Sequence, residues 1–93
     1  MNIYFIRCGK KGAIKIGVAR CVEKRIRSLQ CANPYQLHLL AHIKCASTKE
    51  ALAKEKMLHK MFESQRIRGE WFQGNIKLSR VKEFNACTAI EDQ

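Results

Sequence analysis

Acidic residues are scarce in this chain, eight Asp and Glu against eighteen Lys and Arg, which leaves a formal charge of +10. A charge that large costs a small domain stability through self-repulsion, so its retention points to a polyanionic partner. Nucleic acid is the leading candidate, because neutralised phosphates release counterions and give affinity without base contacts. Solubility alone asks for less charge. Also missing is any apolar run long enough to span a bilayer, and the start, MNIYFIRCGKK, has a strand-length apolar run instead of a leader. A cytoplasmic protein with no membrane partner is expected. The five cysteines, at 8, 21, 31, 45 and 87, show no CxxC or other zinc-ligand spacing and read as reduced thiols. With no helix-turn-helix or zinc module to read bases, specificity would have to come from a targeting partner protein.

What is present suits one small domain. The 93 residues are 46% apolar and 28% charged, a globular balance, and a chain this short buries only about two-thirds of its unfolded surface. A single domain over residues 1–93 is expected. Ile3 to Cys8 and Ala13 to Val18 are β-branched and aromatic runs, and the cluster Gly9 to Gly12 between them can make a hairpin turn. Val22, Ile26 and Leu29 fall at helical spacing until Asn33-Pro34 ends the helix. Gln36 to Cys45 is a third strand, with an alternation blurred by Leu39 and Leu40. Ser47-Thr48-Lys49-Glu50 has the form of a capping box and predicts a second helix to about Phe62. A polar loop, Glu63 to Gly69, then leads to a short extended Glu70-Trp71-Phe72. Ile76 to Ala86 reads as a third helix within a C-terminal segment 75–93 that frays from Ile90 to Gln93. The order ββαβαα predicts an α+β fold, a small antiparallel three-stranded sheet flanked by helices.

One residue breaks the pattern of the second helix. Ala51, Leu52, Leu58 and Phe62 define its apolar face, and Glu55 falls near the middle of that face with His59 beside it. A carboxylate there is costly unless it is paired or bound to a cation, so Glu55 is either a structural salt-bridge partner or a metal ligand facing a cleft. Arg25 borders the apolar stripe of the first helix and can reach the sheet, whereas Lys24 and Arg27 lie farther out. Neighbouring strands are about 4.8 Å apart, so Tyr4 and Lys15 can share one face of the hairpin. Gly17 then lets a backbone or phosphate come close. Singly, each has an ordinary explanation, a strand residue or a surface charge; together they can handle a phosphodiester.

Together these positions resemble the GIY-YIG nuclease superfamily. Ile3-Tyr4-Phe5 stands where the family has its GIY, Lys15-Ile16-Gly17 where it has YIG, and Arg25 and Glu55 match its helix arginine and metal-binding glutamate. The strand lysine, the string Glu55-Lys56-Met57-Leu58-His59 and the later Arg68-Gly69-Glu70-Trp71-Phe72 resemble a branch common in phages and bacteria. The likeness covers about residues 2 to 72. The glycine of GIY and the first tyrosine of YIG are replaced.

The resemblance implies an endonuclease in which Glu55 holds a single Mg²⁺ or Mn²⁺, completed by water and phosphate oxygens. A two-metal site would need several converging carboxylates, and the only one on a buried face is Glu55. The ion would polarise the scissile phosphate and stabilise the leaving 3′ oxygen. Tyr4 is the candidate base, which requires cationic neighbours to lower a pKa that is ordinarily about 10. Lys15 would supply that field or hold the water, and Arg25 would stabilise charge in the transition state. His59 either orients metal waters and carries protons or simply packs in the helix interface. Trp71 completes the core or stacks on a base. Lys10, Lys11, Arg20, Arg27, Arg66 and Arg68 are placed to hold the backbone of nucleic acid, taken as DNA. A noncatalytic nucleic-acid-binding module with the same fold is the rival reading, favoured by the replaced tyrosine. A basic adaptor for an acidic protein rests on charge alone.

Overall fold

The computed structural model describes residues 1–84 and 87–89. Strands β1 (Asn2–Cys8) and β2 (Ile14–Ala19) are followed by helix α1 (Val22–Cys31), β3 (Leu37–Lys44) and helix α2 (Thr48–Met61). A short 3-10 turn (Glu63–Gln65), β4 (Arg66–Arg68), β5 (Trp71–Phe72), a 3-10 run (Leu78–Phe84) and β6 (Cys87–Ala89) complete the order. The result is a small α+β fold with an antiparallel sheet and two helices. Among the described residues no helix is long and apolar enough to cross a membrane.

Alternation along β1 divides the core between the two faces of the sheet. Ile3 and Phe5 join Ile14, Ile16 and Ile43 on one face, where Ala51 and Leu58 of α2 cover them with Phe62, Phe72, Ile76 and Val81. Tyr4 and Ile6 point the other way, into a smaller cluster with Ala19, Val22 and Leu37 that Ile26 and Leu29 of α1 close. The two helices therefore lie on opposite faces. The helix starts follow their chemistry: Ser47 Oγ accepts the Glu50 N–H at 3.1 Å, and the Glu50 carboxylate accepts the Ala46 N–H at 2.7 Å. Leu52, assigned above to the apolar face of α2, is instead 51% exposed.

The sheet is wider than three strands, with order β4-β5-β2-β1-β3-β6. Two departures explain the difference. Part of the polar loop before Gly69 is β4, which pairs with β5 through a turn at Gly69, whose φ of 54° suits glycine. The third α-helix is replaced by the 3-10 run, in which the Arg80 N–H reaches the Lys77 carbonyl at 3.1 Å. Positions 78, 81 and 84 recur every three residues, the period of a 3-10 turn, so this winding puts Leu78 and Val81 against the core together. Residues 85–86 of that expected helix and the frayed end 90–93 lie outside the described residues. The blurred alternation at Leu39 and Leu40 has a cause: the β1–β3 register shifts between Phe5↔Ala41 and Ile6↔Leu39, making Leu40 the extra residue of a bulge.

Candidate active site

The site lies where the ladder on β2 runs out. β5 pairs with β2 only at Ile14↔Phe72 and Lys15↔Trp71. One residue farther along, side chain and turn replace the strand: the Ile16 N–H donates to the Glu70 carbonyl at 3.0 Å, and the Ile16 carbonyl accepts from His59 Nε2 at 3.0 Å. Because a carbonyl only accepts, that nitrogen carries the proton. The His59 ring also packs on Phe72, centroids 5.1 Å apart, so His59 ties α2 to β2. Its Nε2 stands 4.0 Å from a Glu55 oxygen.

Tyr4 and Gly17 are paired across β1 and β2, and the tyrosine is wholly buried. A β-carbon on Gly17 would sit 2.5 Å from Tyr4 Cζ and 3.0 Å from Glu70 Oε1. Gly17 thus makes room for the Tyr4 ring and the Glu70 carboxylate rather than for a phosphate, a correction to the sequence expectation. Lys15, beside it, is held on two sides: its ammonium is 3.0 Å from Glu70 Oε1 and 5.5 Å from the centre of the Trp71 ring. Trp71 therefore shields the lysine while its neighbour Phe72 enters the core, where a tryptophan had been one expectation.

Glu55, from the helix on the other face, meets Glu70 at the gap beyond β5. Burial raises the Glu55 pKa and the nearby Glu70 charge raises it further, while His59 and Lys15 oppose. Glu55 is thus not the sole carboxylate of the site, as the helix pattern had suggested.

Tyr4 corrects a second expectation. Its phenol is not lowered by cations: burial raises its pKa first, Glu70 and then Glu55 add to this, and Arg25 opposes by charge and hydrogen bond without prevailing. The hydroxyl has no partner at full hydrogen-bond geometry among the described residues, so the Arg25 contact is a weak one. Arg25 itself is exposed and makes no ion pair among the described residues. It lines a groove of about 310 Å³ with Arg20, Lys24 and Ser28, which leaves its guanidinium available to an anion.

The remaining cations are spread around the molecule. Lys10 and Lys11 are exposed at the β1–β2 turn, Arg27 is exposed on α1, and Arg66 and Arg68 stand on the outer strand β4, where Arg66 lies 5.6 Å from the Phe72 ring centre. Of the six cations expected to hold the backbone, Arg20 alone lines the Arg25 groove, beside Lys24. Glu70 and Lys24 are the residues that sequence reasoning left out of the site. Glu70 had a signal, being one of eight acids in a basic chain and adjacent to the strand that covers Lys15.

Among the described residues no group of three or more His, Cys, Asp or Glu is arranged to hold a metal ion. The Glu55–Glu70 pair nonetheless has the donor chemistry of a Mg²⁺ or Mn²⁺ site, hard oxygens whose mutual repulsion a dication would relieve. Magnesium keeps several waters, so two carboxylates suffice from the protein.

A buried phenol, a carboxylate pair, a tethered lysine and an arginine without an ion pair among the described residues stand around one sheet edge. The family model for the T5orf172 domain matches residues 1–89, and the chain belongs to that family. It is a phage-associated domain commonly associated with nucleases of the GIY-YIG and HNH types, which points to a nuclease or nucleic-acid-binding role. No curated protein and no solved structure matches the chain.

Proposed function

We propose that this protein is an endonuclease of the GIY-YIG type that hydrolyses phosphodiester bonds in nucleic acid, taken as DNA, with one divalent ion. The observation that carries the reading is the convergence of Tyr4, Arg25, Glu55 and Glu70 from separate elements around Gly17. Such a cluster carries like-charge repulsion and burial cost, the kind of perturbation that gathers at functional sites.

Held by Glu55 with Glu70 adjoining, Mg²⁺ or Mn²⁺ would supply Lewis acidity to the phosphate and to the departing 3′ oxygen. The side chains do the rest. Arg25 binds the non-bridging phosphate oxygens and stabilises the charge that grows on them. Water attacks phosphorus, one P–O bond forms, and the bond to the 3′ oxygen breaks. Tyr4, whose phenol burial and then the Glu70 charge push up, would be the hydrogen-bond partner of that water and the acceptor of its proton. Lys15, paired with Glu70, would orient the water or the phosphate. Lys10, Lys11, Arg20, Arg27, Arg66 and Arg68 hold the strand through its phosphates.

The tether of Lys15 to Glu70 and the raised Tyr4 pKa favour a second reading, a noncatalytic nucleic-acid-binding module. A cleavage assay on single- and double-stranded DNA and RNA with Mg²⁺, Mn²⁺ or chelator, run beside Glu55→Ala, separates the two. Metal-dependent cutting that Glu55→Ala abolishes supports the nuclease; binding at low salt with no cutting under any condition supports the module.

A further inference from the structure

Beside the turn that ends β1 is an exposed aromatic that neither the core nor the site accounts for. Tyr35 is 64% exposed and lines a groove of about 310 Å³ with Cys8, Gly9, Lys10, Lys11 and Gly12. Cys8 packs in the same cluster as Tyr4 and Ile6, so the groove opens on the face of the sheet that carries Tyr4.

The ring is exposed, yet its backbone is fixed. The Tyr35 N–H donates to Asn33 Oδ1 at 3.0 Å, and Gln30 Nε2 donates to the Tyr35 carbonyl at 2.9 Å. Gln30 Oε1 accepts the Leu37 N–H at 2.9 Å, and the Gly9 N–H donates to the Gln36 carbonyl at 2.8 Å, which binds this loop to the β1–β2 turn. On the far side of that turn, the Arg7 guanidinium donates to the Gly74 carbonyl at 2.7 Å. An exposed loop tip ordinarily lacks such restraint. Here the polar side chains of Gln30 and Asn33 hold a large apolar ring in water next to two exposed lysines.

Resting on the nucleic-acid reading above, we infer that Tyr35 and the Lys10–Lys11 turn form a subsite for an unpaired nucleotide, its base stacked on the Tyr35 ring and its phosphates on the two lysines. A rigid aromatic beside cations is the combination that binds single strands, because every base has a face to stack and every nucleotide a charge. A paired base has its faces covered by its neighbours and cannot use the ring. The preferred substrate is therefore one that is unpaired where it crosses the β1–β2 turn, such as a single strand or an overhang.

Fluorescence anisotropy without divalent ions tests this apart from any cleavage. The probes are a labelled single strand, a blunt duplex and a duplex with a single-stranded overhang, each as DNA and as RNA. Tyr35→Ala is expected to weaken binding of the single strand and the overhang about tenfold and to leave the blunt duplex unchanged. Tyr35→Phe keeps the ring and is expected to bind like wild type. Lys10→Ala with Lys11→Ala should weaken all probes and flatten their salt dependence. Equal affinity of wild type and Tyr35→Ala for the single strand, or equal losses in Tyr35→Phe and Tyr35→Ala, overturns the proposal while leaving the nuclease reading intact. Loss confined to unpaired probes in a protein that never cuts upholds the subsite and defeats the nuclease reading instead.

Discussion

The Lys15 ammonium lies 3.0 Å from Glu70 Oε1, and that same oxygen stands 3.0 Å from where a β-carbon on Gly17 would be, beside the Tyr4 ring. Glu70 thus restrains the lysine, and its charge lies close enough to Glu55 to raise that carboxyl's pKa. The ion pair is partly exposed, which limits it to about 1 kcal/mol. Glu70→Gln should therefore cost little stability. Its larger effect is on Glu55, whose carboxyl loses a like-charged neighbour and should titrate at lower pH. A carboxyl-carbon NMR titration of both proteins reads this, and an unshifted Glu55 would show that the two groups are not coupled.

Gly17→Ala should destabilise the protein by about 1–3 kcal/mol, the usual cost of forcing an atom into a filled core. The main clash is with Tyr4, whose Cζ lies 2.5 Å from the new carbon, and the Glu70 carboxylate at 3.0 Å can swing aside. In a Tyr4→Ala background the same change should cost almost nothing. Denaturant unfolding of the four proteins closes this cycle, and an undiminished cost in the double variant would place the clash elsewhere.

Stability should respond to pH through Glu55. Burial and Glu70 raise its folded pKa above the unfolded value of about 4.3. The folded chain therefore binds this proton more tightly than the unfolded one, and the resulting stability is complete below the unfolded pKa and lost as pH rises through the folded pKa. Glu55→Gln removes the ionisation. In chelator its melting temperature should exceed that of wild type at neutral pH by a few degrees, and the gap should close near pH 4. A gap that stays constant across that range would mean that Glu55 is not the titrating group.

Arg25→Ala should reduce cleavage about 10²- to 10³-fold, the usual cost of removing a group that stabilises transition-state charge. Because Arg25 is exposed and unpaired among the described residues, its melting temperature should hardly change. Single-turnover cleavage and thermal unfolding measured together check both halves. Cleavage at the wild-type rate would remove Arg25 from the mechanism.

Much of the fold was legible because its signals are local. The first hairpin, both helix starts and the third strand each follow from alternation, capping or periodicity within a dozen or so residues, and the sheet pairs them in that order. Of the outer strands, β5 was legible as the short extended Glu70-Trp71-Phe72, whereas β4, three residues read as part of a polar loop, is too short for a pattern and exists because Gly69 turns it onto β5. The 3-10 run hid behind a spacing that fits two kinds of winding. Trp71 and Phe72 look alike in sequence, and only pairing with Lys15 and Ile14 sends Phe72 inward and leaves Trp71 on the lysine.

The sequence by itself determined the charge that asks for a polyanion, the strands that carry Tyr4 and Lys15, and the misplaced carboxylate on α2. Only the tertiary structure decided that Glu70 joins them, that Lys15 is tethered and that burial and Glu70 push the Tyr4 phenol up. The reason is that those properties depend on where β5 stops along β2: its ladder ends at Lys15, and the gap that follows lets a turn and a helix from the opposite layer meet at one edge.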